Sequence, residues 1–161
     1  MESLKGFPEE AMDMMRNTNL SFLHLTDLKY RPPWDLLFNN FRKGTVTIAG
    51  DAMHPTGPFV AQGGSASIED AIVLARCLAQ KMFDNSKKTE ETEMNIVMAE
   101  EAFDQYVKER KMRNFWLSFH SFLVGKKLDT TSCIIRFIIL AIMSTLFRDP
   151  DWHSRYHCGN L

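Results

Sequence analysis

The chain has 161 residues, 45% hydrophobic and 24% charged, which suffices for one domain with a core and excludes a compositionally disordered segment. Its 19 basic and 20 acidic residues are intermixed and leave a formal net charge of -1, so there is no basic field to attract a nucleic acid. Cys77, Cys133 and Cys158 are too few and too far apart for a disulfide framework or a CxxC zinc site; they suit a reducing compartment, with Cys77 and Cys133 as small core residues.

Residues 1–6 contain no long apolar stretch, so no secretory signal is expected, and a cytoplasmic or membrane-peripheral intracellular setting follows. Pro8 followed by Glu9 and Glu10, with Met12, Met14 and Met15 behind them, predicts a helix of about two turns. Residues 20–28, with Phe22, Leu23 and Leu25 among Ser and Thr, predict a strand in which His24 is a packing residue. Tyr30 to Trp34 is extended by its two prolines, residues 35–41 are ambiguous, and Lys43-Gly44 turns into a strand over 45–49.

A loop rich in Gly and Pro follows, and then a helix over 65–83. Ile68, Ala71, Ile72, Ala75, Leu78, Ala79 and Met82 recur at three- and four-residue steps and predict its buried face, while Glu69, Asp70 and Lys81 suit the helix dipole. Residues 84–93 carry no apolar residue at all and read as a solvated linker. A longer helix over 94–124 places Phe103, Tyr106, Phe115, Phe119 and Phe122 as a packing stripe, with supportive pairs from Asp104 to Lys108 and from Glu109 to Arg113. The charged run 108–113 reads first as a wet face, the alternative being an arginine that touches an anionic cofactor or lipid. Residues 133–147 are the most apolar segment, too short to cross a bilayer; they predict a buried helix, with a helix on a membrane surface as the second reading.

The chemistry concentrates in Gly50-Asp51-Ala52-Met53-His54-Pro55, continuing through Pro58 and Gln62-Gly63-Gly64-Ser65 to Glu69-Asp70-Ala71. The strand presents Asp51 between two small residues, and an ionised carboxylate can only accept hydrogen bonds, which suits the hydroxyls of a sugar alcohol or ribose. Gln62 to Ser65 bring backbone N–H groups to the positive end of a helix, where they stabilise an anion or an electron-rich ring edge. Strand, loop and helix in this order make the fold class α/β, an α+β fragment with few strands followed by long helices. No GxGxxG turn occurs in these 161 residues to hold the other end of a dinucleotide.

The same residues, from Gly50 to Ala71, resemble the second FAD-binding motif of flavoprotein monooxygenases of the aromatic-hydroxylase type, nearest the salicylate-hydroxylase-like and zeaxanthin-epoxidase-like plant enzymes. The likeness is dense over 43–82, and the tail His157-Cys158-Gly159-Asn160-Leu161 looks like the end of the plant enzymes. The resemblance implies a Rossmann-like FAD-binding fold of which this chain is the C-terminal portion. Residues 1–42 would be a remnant of the substrate side, 43–83 the FAD-binding strand, loop and helix, 84–93 a linker, and 94–161 a helical region. It further implies that Gly50 and Asp51 meet the ribityl and pyrophosphate part, that Pro58, Gln62, Gly63, Gly64 and Ser65 border the isoalloxazine, and that His54 is its neighbour. NAD(P)H would reduce the flavin, and oxygen would then be delivered to a small aromatic or lipophilic substrate. Without the ADP-binding turn, the chain alone would hold FAD weakly and be inactive. Ala61 stands where the family commonly has Gly, so a positive φ there would strain it by about 1 kcal/mol or more. Two other classes stay open: Asp51 and His54 as ligands of a phosphoesterase metal, and a non-catalytic interaction or membrane-surface module built on 133–147.

Overall fold

The apolar patterns over 65–83 and 94–124 repeat at three and four residues, so helices set the architecture. The computed structural model describes residues 6–24, 27, 29–84, 91–149 and 151–159. Among these are the helices α1 (Glu9–Arg16), α2 (Pro33–Phe38), α3 (Gly63–Asp84), α4 (Glu91–Asp129) and α5 (Cys133–Leu146). The antiparallel pair β1 (Arg42–Lys43) and β2 (Val46–Thr47) sets Arg42 opposite Thr47, and Gly44 turns between them at φ +57°. The strand expected over 45–49 is thus only two residues long, and the described residues form no parallel sheet. The chain is mostly helical with one small hairpin, as suits an α/β fragment.

The core lies where α3, α4, α2 and the hairpin meet: Leu36, Phe41, Met53, Val73, Cys77, Ala102, Tyr106 and Val107 bury their side chains together. Arg42 ties the hairpin to α4 through a two-pronged bond to Asp104, at 2.5 and 2.7 Å. Glu109 reaches across to Arg76 at 2.5 Å on α3. Both acids expected to support α4 from within its own surface therefore bridge elements instead.

Several expectations are corrected. Residues 20–22 form a 3-10 turn instead of a strand, and His24 is exposed instead of packed; Leu25, Thr26 and Leu28 lie outside the described residues. So do residues 85–90 of the expected linker and 160–161 of the tail, while α4 already starts at Glu91. Helix α1 forms as expected but buries none of its residues, its methionines included. On α3 the buried face is Ala66, Asp70, Val73 and Cys77, while Ile68 and Met82 of the expected stripe are 64% and 61% exposed. Asp70 can turn inward because α4 supplies the cation that neutralises it. The charged run 108–113 is not simply a wet face, since Arg110 is fully buried. Cys77 is a core residue, but Cys133 is exposed, as is most of α5, in which Ile139 alone counts as buried.

Candidate functional site

Gly50 leaves the hairpin at φ +58°, a left-handed conformation that glycine takes without the Cβ penalty of other residues. A methyl group at Gly50 would also press on Ser67 Oγ at 3.0 Å. The next residue, Asp51, opens outward in a 3-10 turn over Gly50–Ala52 and is exposed. A second 3-10 turn, Pro58–Val60, ends in Ala61 at φ 53°, the left-handed non-glycine residue among those described. That twist reverses the chain so that Gln62 starts α3 by accepting the Ala66 N–H at 2.9 Å.

The first amides of a helix have no partner within it. Here they open beside Asp51: a Cβ on Gly63 would stand 3.5 Å from Thr56 Oγ1 and 4.0 Å from Asp51 Oδ1, whereas one on Gly64 would meet nothing within 4 Å. Asp51 and Gly63 thus meet at the mouth of α3, with Gly50 adjoining Asp51 and Gly64 and Ser65 following Gly63 along the chain. Pro58 sits apart on its turn, exposed, and that turn rests on α4.

Behind the mouth lies a buried polar stripe that the sequence reading missed. Arg110, Asn114, Ser118 and Ser121 recur at helical spacing on one face of α4, and all are buried. Polar residues at core spacing were its signal. Arg110 Nε donates to Asp70 Oδ1 at 2.6 Å and Asn114 Nδ2 to the same oxygen at 3.3 Å. The other carboxylate oxygen accepts from the Gly50 N–H at 2.8 Å and from His54 Nε2 at 2.5 Å. Burial alone would raise the Asp70 carboxyl, but the His54 ring, the Arg110 guanidinium and the Gly50 N–H together hold it at about 2. Burial likewise works against the Arg110 charge, and Asp70, Tyr156 and Glu69 more than offset it. Burial and the Asp70 charge push the Tyr106 phenol up, so it stays protonated and donates to the Ile48 carbonyl at 3.4 Å. His54 is therefore engaged with Asp70, and its Nε2 is not available to share a metal ion with Asp51.

At the other end of the stripe, Ser121 Oγ donates to the Gly57 carbonyl at 2.7 Å, just before Pro58. Gly125 on α4 leaves room for the Phe59 ring, which a methyl group there would meet at 2.6 Å. Between these contacts lies a cavity of about 240 Å³ walled by Tyr30, Thr56, Phe59, Phe122 and Lys126, with Ser118 among its lining residues. The Ser118 hydroxyl is buried and has no hydrogen-bond partner among the described residues. Thr56 belongs both to this cavity and to the helix mouth.

Compared with known proteins, residues 17–113 match the family described as FAD binding domain. The chain is 47% identical over 155 residues to Monooxygenase 1 of Arabidopsis thaliana, covering 95% of this chain and 38% of that protein. It is 39% identical over 128 residues to Monooxygenase 2 of the same plant, covering 78% and 31% respectively. It is 34% identical over 113 residues to the chloroplastic zeaxanthin epoxidase of Oryza sativa subsp. japonica, covering 70% and 16%. The chain thus spans between 16% and 38% of the length of these curated relatives. No solved structure matches it.

Proposed function

The chain belongs to the FAD-binding domain family, among flavoprotein monooxygenases of the aromatic-hydroxylase type with FAD as cofactor, and on that premise we propose that its helix mouth is the flavin-facing half of the FAD site. The observation that carries this reading is the approach of Asp51 Oδ1 to Gly63 at the start of α3, with no atom crowding the next residue, Gly64. Asp51 accepts hydrogen bonds from the sugar-alcohol hydroxyls. The amides of Gly63, Gly64 and Ser65 face the electron-rich edge of the ring, and Pro58 and Gln62 border it. FAD supplies the redox chemistry through which NAD(P)H and O2 are used; the chain's own residues bind, orient and shield.

The substrate of the complete enzyme is a small aromatic or lipophilic molecule, and the cavity of about 240 Å³ beside Thr56 supports this. An apolar cavity of roughly 150 Å³ holds a benzene ring, so this one accommodates one or two rings. Phe59, Phe122 and Tyr30 offer ring faces, and the unpartnered Ser118 hydroxyl takes one polar substituent.

The test is a fluorescence titration of the 161-residue chain with FAD and with riboflavin. Because these residues contain no GxGxxG turn for the ADP half, the two ligands are expected to bind weakly and within about threefold of each other. Asp51→Ala should weaken both about tenfold, the loss of a hydrogen bond or two to a charged group. Equal affinity of Asp51→Ala and the unaltered chain overturns the site, while tight stoichiometric flavin or NAD(P)H-dependent oxygen uptake overturns the chain's dependence on a second half.

A second reading concerns α5. Ile134 and Phe137 are each 74% exposed, and in the sequence Lys126 and Lys127 precede α5, Arg136 lies within it and Arg148 follows it. This supports a peripheral contact of α5 with an anionic lipid surface. No helix among the described residues is long and apolar enough to cross a membrane.

A further inference from the structure

Of the two turns beside the helix mouth, one closes on the Gly50 carbonyl, which accepts from the Met53 and His54 N–H groups at 2.9 Å, and the other on the Pro58 carbonyl, which accepts from the Ala61 N–H at 3.1 Å. Each is fastened from behind, and both fastenings end on the same face of α4. The first runs from the Gly50 N–H to Asp70 at 2.8 Å and on to Arg110 and Asn114. The second runs from the Gly57 carbonyl to Ser121 at 2.7 Å. Gly50 immediately precedes Asp51 at the mouth, and Gly57 immediately precedes Pro58 on the neighbouring turn, so each fastening grips the peptide next to a proposed flavin contact.

We propose that Asp70, braced by Arg110 and Asn114, and Ser121 are positioning residues that fix the turns 50–52 and 58–60 on α4 and thereby aim Asp51 and Pro58 at the flavin. This rests on the flavin reading of the mouth. An ionised carboxylate suits the first position because it accepts from four donors, which a neutral amide cannot do. In Asp70→Asn, one face of the amide must turn an N–H toward another donor, whichever way it is flipped. A serine suits the second because its short, buried hydroxyl on α4 reaches the Gly57 carbonyl directly. Asp70 is fully buried and acts through its neighbours, whereas Ser121 holds the Gly57 carbonyl and also lines the cavity beside Thr56. Asn114 and Ser121 on α4, 64 positions beyond Gly50 and Gly57 respectively, thus bear on the two turns.

Two measurements on the 161-residue chain test this, one of them free of flavin. By hydrogen-exchange NMR without ligand, the Gly50 amide should exchange at least about tenfold faster in Asp70→Asn and about two- to threefold faster in Asn114→Ala, with α5 amides unchanged. Ser121→Ala, a mild change on a helix, should leave Gly50 exchange as it was. In riboflavin titrations, Asp70→Asn and Ser121→Ala should each weaken binding about three- to tenfold. Asp51→Asn should add little once Asp70→Asn is present, because both act on one contact; a general loosening of the fold would make the two losses multiply. Unchanged Gly50 exchange in Asp70→Asn overturns the clamp, and multiplying losses overturn its action through Asp51. Faster Gly50 exchange in a chain that binds no riboflavin instead refutes the flavin reading, and with it the cofactor half of this inference.

Discussion

At Ala61 two opposed effects can be weighed. Its φ of 53° places a methyl group in the left-handed region, a strain of about 1–2 kcal/mol that glycine does not bear. Glycine in return raises the entropy of the unfolded chain, a loss of about 0.4–1 kcal/mol. The strain is the larger, so Ala61→Gly is expected to stabilise the chain by about 0.5–1 kcal/mol, a rise in melting temperature of roughly 2 °C for this length. A calorimetric scan showing a lower melting temperature would mean that the turn relaxes around the methyl group. The sequence exposed this position because the expected glycine was missing just where the loop must reverse into α3.

At the level of elements, helices could be read from spacing, but the faces they bury could not. Helix α3 carries an apolar stripe through Ile68 and Ile72 and a mixed one through Ala66, Asp70, Val73 and Cys77, and the mixed one is buried. What decided between them is Arg110, 40 residues away, whose charge makes an inward Asp70 tolerable. The mouth itself was legible, since Gly50, Asp51 and Gly63 are brought together by contiguous chain; the polar stripe behind it was not, because its partners meet only after α3 and α4 pack. Helix α5 is apolar on nearly every side, so its pattern names no inner face, and most of it faces out. If that surface meets lipid, the chain should co-sediment with vesicles of anionic phospholipid and far less with neutral ones. Phe137→Glu with Ile138→Glu, at positions 74% and 50% exposed, should cut the bound fraction at least about fivefold without altering the fold seen by circular dichroism. Binding that persists in this variant would show that α5 is not the contact.

Across the whole molecule, one buried carboxylate joins the turn at Gly50, the first turns of α3 and the middle of α4. The Asp70 carboxyl lies at about 2 in the fold, against an ordinary value of 3.8. A folded value below the unfolded one means that the network's stabilisation is complete above about pH 5 and is lost as pH falls from about 4 toward 2. The difference corresponds to about 2 kcal/mol, on the scale of 1.36 kcal/mol for each step of one in pKa. Other carboxylates add their own acid sensitivity, so the contribution of Asp70 is read from the gap between the unaltered chain and Asp70→Asn. At pH 7 that gap should be about 3 kcal/mol or more, because the variant also leaves the buried Arg110 charge without its counterion. Urea unfolding between pH 7 and pH 2.5 should show the gap shrinking by about 2 kcal/mol, nearly all of it below pH 4. The gap closes because protonation takes from the native chain the same charge that the substitution has already removed. Two curves that fall in parallel through that window would mean that the fold does not lower the Asp70 carboxyl, and that Gly50, His54 and Arg110 do not favour its charge.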